Sequence, residues 1–395
     1  MRLRAFVSGM ALFMFGIVLC VALAECLLRL FPGLLPVEIY QQLRVDPGNL
    51  GVSHSYIGHL HRPNNSFIIS GKDFRAVHHT DAHGFRNAWP WPERAEIVVV
   101  GDSLVFGHGV EDKESWPAIL AQTLPPIRVI NLGLAASGPP QYLRVYETFG
   151  IKFQPKVLLV GLFVRNDFWD AGLFNRWLQL GGEGSYMVWR NFGGVGTAGF
   201  SLQNPIVSIK SILTLGRYSL LYNFLRHTRN VYRSWRASEP KLLRLADGTQ
   251  LQLSPSNFES QTVGAQPDHP EFQVVLHALK RIDAIAKEHG TQPLIVFQPS
   301  KEEIYLPLLG EAARDLGGPL RAALAKLGVA YLDVTPAFRQ RAAAGESLFF
   351  EVDGHPNARG YALIAEVVLA HLQENAQRYG LEIKERNLSG KWETR

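Results

Sequence analysis

Ile97-Val98-Val99-Val100 sets four β-branched residues side by side with no polar residue among them. A strand with one wet face alternates apolar and polar residues, so this run implies a strand covered on both faces. Residues 157–162 and 294–297 repeat the pattern, and residues 96–100, 128–132 and 329–333 complete a set of five strands. Helical periodicity fills the intervals at 116–124, 141–149, 271–289, 308–327 (with a break at Gly317-Gly318-Pro319) and 358–373. Strands and helices in alternation predict an α/β fold, a three-layer parallel sheet flanked by helices. Ligands of such sheets bind beyond the carboxyl ends of the strands. Ser103, Gly133, Asn166, Ser300 and Asp333 all fall at or just after those ends, on one rim.

Composition narrows the classes. A chain of 395 residues with 47% hydrophobic content can bury a sizeable core, which excludes global disorder. The formal net charge of +5 comes from arginines spread along the chain, so nucleic acid is not an expected partner. Cys20 and Cys26 both lie in or beside an N-terminal apolar segment, leaving the rest without thiolate metal site or disulfide. His78-His79-Thr80-Asp81-Ala82-His83 has irregular spacing and reads as a solvated turn before a metal site. No metal and no cofactor are expected.

Residues 5–24 form an uncharged apolar run of 20 residues behind Arg2 and Arg4. At 1.5 Å per residue it matches the ~30 Å hydrocarbon core, and the arginines keep the N-terminus in the cytoplasm. The expectation is a single-pass inner-membrane anchor with the main domain on the periplasmic side. A cleaved signal peptide competes, with Ala22-Leu23-Ala24 as its small-residue site; against it, apolar character continues through residues 26–31. The expected organisation is an anchor at 1–31, a lead-in at 32–94, a main domain at 95–378 and a tail at 379–395. Gly84-Phe85-Arg86-Asn87 of the lead-in is expected to pack on the domain's edge.

Within that domain residues 170–270 break the alternation and are expected to form a cap over the rim. They hold a glycine-rich and aromatic stretch from Gly181 to Gly199, a helical stretch at 220–235, and a hairpin at 242–253 with a two-residue turn at Asp247-Gly248. Trp169, Trp177, Tyr186 and Trp189 suit stacking on sugar rings, or equally the cap's own core. Arg226, Arg229, Arg233 and Arg236 lie on one helical face beside Leu221, Leu225, Tyr232 and Trp235. That helix packs its apolar stripe or meets anionic headgroups or acidic polysaccharide.

Chemistry enters with Gly101-Asp102-Ser103-Leu104 at the first strand's end and Asp353-Gly354-His355-Pro356-Asn357 before the last helix. A serine hydroxyl attacks well only with a base in hydrogen-bond reach, itself oriented by a third group. The bland alternative is that Ser103 or Asp102 merely caps a helix, and His355 another. Asn131-Leu132-Gly133 and Asn166-Asp167 follow the second and third strands, and all these blocks in this order resemble the GDSL or SGNH hydrolase superfamily. Its common pattern sets the Asp three positions before the His, where this chain has Val352; Asp353 and Glu351 are the nearest carboxylates. The Asp-x-His spacing and Ser300-Lys301-Glu302-Glu303-Ile304-Tyr305 are similar to the alginate O-acetyltransferase-like branch.

The resemblance implies Ser103 as nucleophile, His355 as base and Asp353 as its orienting carboxylate. It implies an oxyanion hole from the Ser103 N–H, the Asn166 side chain and an N–H of the second block. In ungapped register that last place falls on Ala136, between Gly133 and Gly138. Asp102, Lys301 and Trp169 are expected to contact substrate. The activity so implied is a membrane-anchored serine hydrolase acting on O-acyl, chiefly acetyl, esters of carbohydrate. Its rivals are an O-acyltransferase of envelope polysaccharide and a non-catalytic carbohydrate-binding subunit of an envelope assembly. The complete Ser/His/Asp set argues against the last. Expected partners are an acylated carbohydrate or other small ester, the membrane, and polysaccharide-assembly proteins.

Overall fold

The computed structural model describes residues 2–31, 51–191, 219–222, 224–225, 228–229, 240–255, 263–383, 385–386 and 392–393. It divides into two compact units: Met1–Leu50 with Met187–Glu239, and Gly51–Tyr186 with Pro240–Arg395. In the first, helix α1 (Arg2–Leu30) contains a 23-residue stretch, Ser8–Leu30, long and apolar enough to cross a membrane. The Glu25 carboxylate of α1 accepts from the Ser219 hydroxyl at 2.7 Å and the Leu220 and Leu221 N–H groups at 3.0 Å. Leu28 packs beside Leu220, Leu221 and Phe224. Of the arginine-bearing helix, Arg226, Tyr232, Arg233, Trp235 and Arg236 lie outside the described residues.

The second unit is built on five parallel strands: β1 (Ile97–Gly101), β2 (Val129–Gly133), β3 (Val157–Phe163), β4 (Gln292–Gln298) and β5 (Tyr331–Asp333). Their order is β5-β4-β3-β1-β2. Successive side chains point to opposite faces, and both faces are covered. Ile97, Val99, Leu159 and Val296 enter one core with Trp116, Leu120, Phe338, Tyr361 and Ile364. Val98, Val100, Val160 and Ile295 enter the other with Tyr142, Phe168, Leu279 and Leu320. Each such side chain contributes about 1.5–3 kcal/mol by leaving water, which is why the strands carry no polar alternation.

The helices sort accordingly. The first core takes α2 (Ser103–Phe106), α3 (Trp116–Thr123) and, later in the chain, three more helices given below. The second takes α4 (Pro139–Val145), α5 (Val164–Gln179), α6 (Pro270–Glu288) and one further helix. Those later elements are α7 (Lys301–Tyr305), α8 (Gly318–Lys326), α9 (Thr335–Ala343) and α10 (Ala358–Glu374), with α8 on the second core and the others on the first. The fold is thus a parallel sheet between two helical layers.

Some expectations change. Helix is absent over residues 310–317 of the expected 308–327 segment, because Gly310 at φ 83° ends a short turn, Leu306–Leu309, and helix resumes only at Gly318. The α4 segment starts at Pro139 and passes into a wider turn at Tyr146–Gly150. The hairpin pairs Lys241–Arg244 with Gln250–Leu253, and Leu245 N–H bonds Thr249 O, so its loop has three residues, not two. The expected cap also divides. Its start continues α5, burying Ala171, Phe174 and Trp177, and its hairpin sends Leu245, Leu251 and Leu253 into the first core. Met187–Glu239 groups with the N-terminal unit.

The lead-in from residue 51 is folded. It forms two antiparallel pairs, Val52–His54 with Gly58–Leu60 and Ser66–Ser70 with Arg75–His79, and buries Ile57 and Phe85 completely.

Candidate active site

Ser103 is the first residue of α2, where the chain turns sharply out of β1. Two glycines permit the turn: a Cβ on Gly133 would lie 2.3 Å from the Phe106 nitrogen, and one on Gly101 2.2 Å from Val105 Cγ2. The helix is therefore pressed onto the strand ends. Asp102 is its N-cap, its Oδ1 accepting from Leu104 N–H at 2.9 Å. Asp102, not Ser103, caps the helix, and Ser103 Oγ meets that cap only through a long 3.4 Å contact to Asp102 Oδ2. Asn131 holds the helix from the side, donating to Val105 O at 3.0 Å and accepting from Gly133 N–H at 2.8 Å.

His355 and Asp353 come from the loop before α10. Asn357 caps that helix through Gly360 N–H at 3.1 Å and donates to Ser347 O and Phe349 O, fixing both ends of the loop. His355 Nδ1 lies 2.6 Å from Asp353 Oδ1, and Nε2 lies 2.8 Å from Ser103 Oγ. An ionised carboxylate only accepts, so Nδ1 carries the proton and Nε2 presents a lone pair to the serine hydroxyl. Burial works against the Asp353 charge, but the imidazole and the His355 backbone N–H outweigh it and hold this carboxyl well below the usual range. Glu351 is exposed, and its carbonyl accepts from Gln252 N–H. Asp353 is the carboxylate on the imidazole.

The first oxyanion candidate is the serine's own N–H, which has no partner within the helix at that first position. Asn166, half-buried in the first turn of α5, donates to the Asp102 carboxylate. An amide NH₂ has two protons, so one remains for substrate. Ala136 sits in the left-handed region at φ 61°, a conformation that favours glycine. Its neighbour Ala135 is gripped at both ends: His59 Nε2 bonds Ala135 O at 2.9 Å, and Ala135 N–H donates to His61 Nε2 at 3.3 Å. Burial drives the His61 imidazole down to about 3, so it stays neutral and can accept.

Of the three expected substrate contacts, two are corrected. Asp102 is fully buried; burial raises its carboxyl to about 6 against the pull of Leu104 N–H, His355 and Asn166. It orients Asn166 and caps α2, and has no face for a ligand. Lys301 is likewise buried, its ammonium donating to backbone carbonyls of the Asp353 loop. Trp169 is 43% exposed, whereas Trp177, Tyr186 and Trp189 are buried.

Three groups escaped the sequence reading. His108 lies against the catalytic imidazole, ring centroids 4.2 Å apart, and burial lowers it to about 3, so it adds no positive charge there. Arg86, 6% exposed, donates to Phe106 O, Gly107 O and Val110 O and pairs with Asp112, closing the end of α2. Asp73 binds the Asp353 loop. The flanking glycines of His108 gave a weak cue. Arg86 falls in the 84–87 segment expected to pack on the domain's edge, as it does, though its bonds to α2 were not foreseen. Asp73 gave no cue, since a polar residue in a lead-in looks solvated. Among the described residues His108, Asp353 and His355 are spaced for a metal, but both His355 nitrogens are already engaged. The histidine run is not the solvated turn expected: its first two residues end the Arg75–His79 strand, His78 is fully buried, and His79 bonds Asp112.

A serine–imidazole–carboxylate relay at the carboxyl end of a parallel sheet, its serine buried and its imidazole and carboxylate half-buried, defines a serine-dependent acyl-transfer enzyme, an esterase or O-acetyltransferase. Residues 258–394 match the family described as ALGX, "SGNH hydrolase-like domain, acetyltransferase AlgX". That stretch includes Lys301, Asp353 and His355; Ser103 lies before it. Solved structures that resemble the chain include a lipolytic protein of the G-D-S-L family from Veillonella parvula, at 13% identity, covering 71% of this chain and 99% of that one, TM-score 0.36. Another is a catalytic mutant of an acetylxylan esterase from Geobacillus stearothermophilus, at 12% identity, covering 71% and 95%, TM-score 0.36. Such remote likeness says nothing of substrate. No curated protein matches the chain in sequence.

Proposed function

We propose that this protein is a membrane-anchored serine esterase that removes O-acetyl groups from carbohydrate through an acyl-serine, with Ser103, His355 and Asp353 as its triad. The continuous chain from Asp353 through His355 to Ser103 Oγ carries the reading. His355 Nε2 takes the serine proton as Oγ attacks the ester carbonyl. The Ser103 and Ala136 N–H groups and the second Asn166 proton meet the developing oxyanion. His355 then protonates the departing sugar oxygen, leaving acyl-Ser103, and activates water to release acetate. Transfer to a sugar hydroxyl shares every step up to the acyl-enzyme, and the acetyltransferase family matched over residues 258–394 supports that second reading. Trp169, the exposed one of the four rings, supports a sugar-stacking contact. The apolar length of α1 behind Arg2 and Arg4 supports an uncleaved anchor with the catalytic unit outside the cytoplasm.

The test is incubation of the full-length protein with p-nitrophenyl acetate, alone and with candidate oligosaccharides. Nitrophenol and free acetate identify an esterase. Acetylated sugar in the mass spectrum identifies a transferase. Release of neither would leave a binding subunit as the better description.

A further inference from the structure

Lys301 begins α7 with 1% of its surface exposed. Its Nζ donates to four consecutive carbonyls: Phe350 at 3.2 Å, Glu351 at 3.2 Å, Val352 at 3.0 Å and Asp353 at 2.8 Å. Carbonyl oxygens converging on one point repel one another, and a cation among them removes that repulsion. The amides of the same loop are held by the opposite charge: Asp73 Oδ2 accepts from Val352 N–H at 2.6 Å and Asp353 N–H at 3.3 Å. The loop is thus gripped on its carbonyls by one residue and on its amides by another, 228 positions apart in sequence (301 − 73).

We propose that Lys301 and Asp73 form a charge clamp that sets the 350–353 loop and through it presents Asp353 to His355. Both are positioning residues, and the proposal rests on the reading of Ser103, His355 and Asp353 as the triad. Rate in a triad depends on angles and distances at the level of an ångström, so a slack loop costs turnover and leaves binding nearly untouched.

The clamp is also sensitive to alkali. The charged groups facing Lys301 are Glu302, Asp353 and Asp73, which favour its proton, and Arg165, which opposes it. Burial dominates and lowers the ammonium from 10.5 to about 8. Below that value three N–H donors serve four carbonyls. Above it the amine offers two donors and turns a lone pair toward an oxygen, so the loop loosens. Between about 8 and 10.5 the unfolded chain binds this proton more tightly than the folded one, so this group does not lower global stability as pH rises there. Activity therefore falls through an alkaline limb without unfolding.

The experiment compares full-length wild type, Lys301→Met and Asp73→Asn for p-nitrophenyl acetate turnover across the alkaline range. Proton NMR follows the downfield resonance of the His355 Nδ1 proton shared with Asp353. Lys301→Met should lose kcat on the order of 10²-fold with KM little changed, and its residual activity should lack the limb. Asp73→Asn should lose about 10-fold and keep the limb, since its lysine is intact. In both variants the downfield resonance should shift or broaden. Wild-type kcat, limb and resonance in Lys301→Met would overturn the clamp. Should that variant fail to fold, an unchanged rate and resonance in Asp73→Asn would overturn it instead. A wild type that releases no nitrophenol, with the resonance still moved by both substitutions, would sink the esterase reading and leave the clamp standing.

Discussion

The central sheet delivers Ser103 at the end of β1 and buries most of the side chains of β1–β4 in two apolar cores. The lead-in, residues 51–94, delivers no triad member, and its polar groups instead bind the backbone of three other segments. His59 and His61 hold Ala135 beside the oxyanion candidate, Arg86 closes α2, and Asp73 holds the Asp353 loop. The two regions fix positions by different physics. Burial is spread over many contacts, and losing one side chain lowers stability while the geometry persists. A hydrogen bond to a buried backbone group is singular: removing its partner leaves that group unsatisfied and free to move. Sheet substitutions should act on stability, lead-in substitutions on rate.

The largest effect lies in the triad that both regions serve. Ser103→Ala and His355→Ala should each reduce turnover of p-nitrophenyl acetate by on the order of 10⁴-fold or more, and the double variant no further. Additive losses would mean the two do not share one proton transfer. Asp353→Asn should cost about 10³–10⁴-fold, because the amide no longer fixes the tautomer of His355. Next comes the lead-in. His61→Phe keeps a ring against Phe106 but removes the partners of Ala135 N–H and Gly84 O, so kcat should drop about 10-fold at a stability cost of about 1–3 kcal/mol. A rate equal to wild type would erase the distinction between the regions. The smallest effect on rate belongs to the sheet. Leu159→Ala should lower unfolding free energy by about 2–5 kcal/mol in denaturant titrations, with kcat per folded molecule unchanged.

The sheet was legible because a doubly covered strand must be written in β-branched and apolar residues, and Val98 or Leu159 has no other reason to sit where it does. Ser103, Asp353 and His355 were legible because nucleophilic chemistry demands those types at strand ends and helix starts. Of the lead-in only the packing of residues 84–87 was legible. Its strands are three to five residues long, and histidine, arginine and aspartate look the same in sequence whether they face water or a buried carbonyl. Lys301 shows the hazard most clearly: a charge after a strand end suggests a ligand, and only the fold reveals four carbonyls waiting for it. The 170–270 segment misled in another way. Phe174 and Trp177 carry the periodicity of a core helix, yet the boundary at 170 cut α5 in two.

The nucleophile and its base stand 252 residues apart in the chain. At roughly 5–20 residues per second of synthesis, Ser103 is made about 13–50 s before His355. Throughout that interval the serine is chemically ordinary, and no truncated product ending before residue 355 can carry the relay. Turnover of an activated ester therefore counts only chains whose synthesis has run past the last strand, which makes it a direct clock for completion of this protein in a cell-free translation reaction.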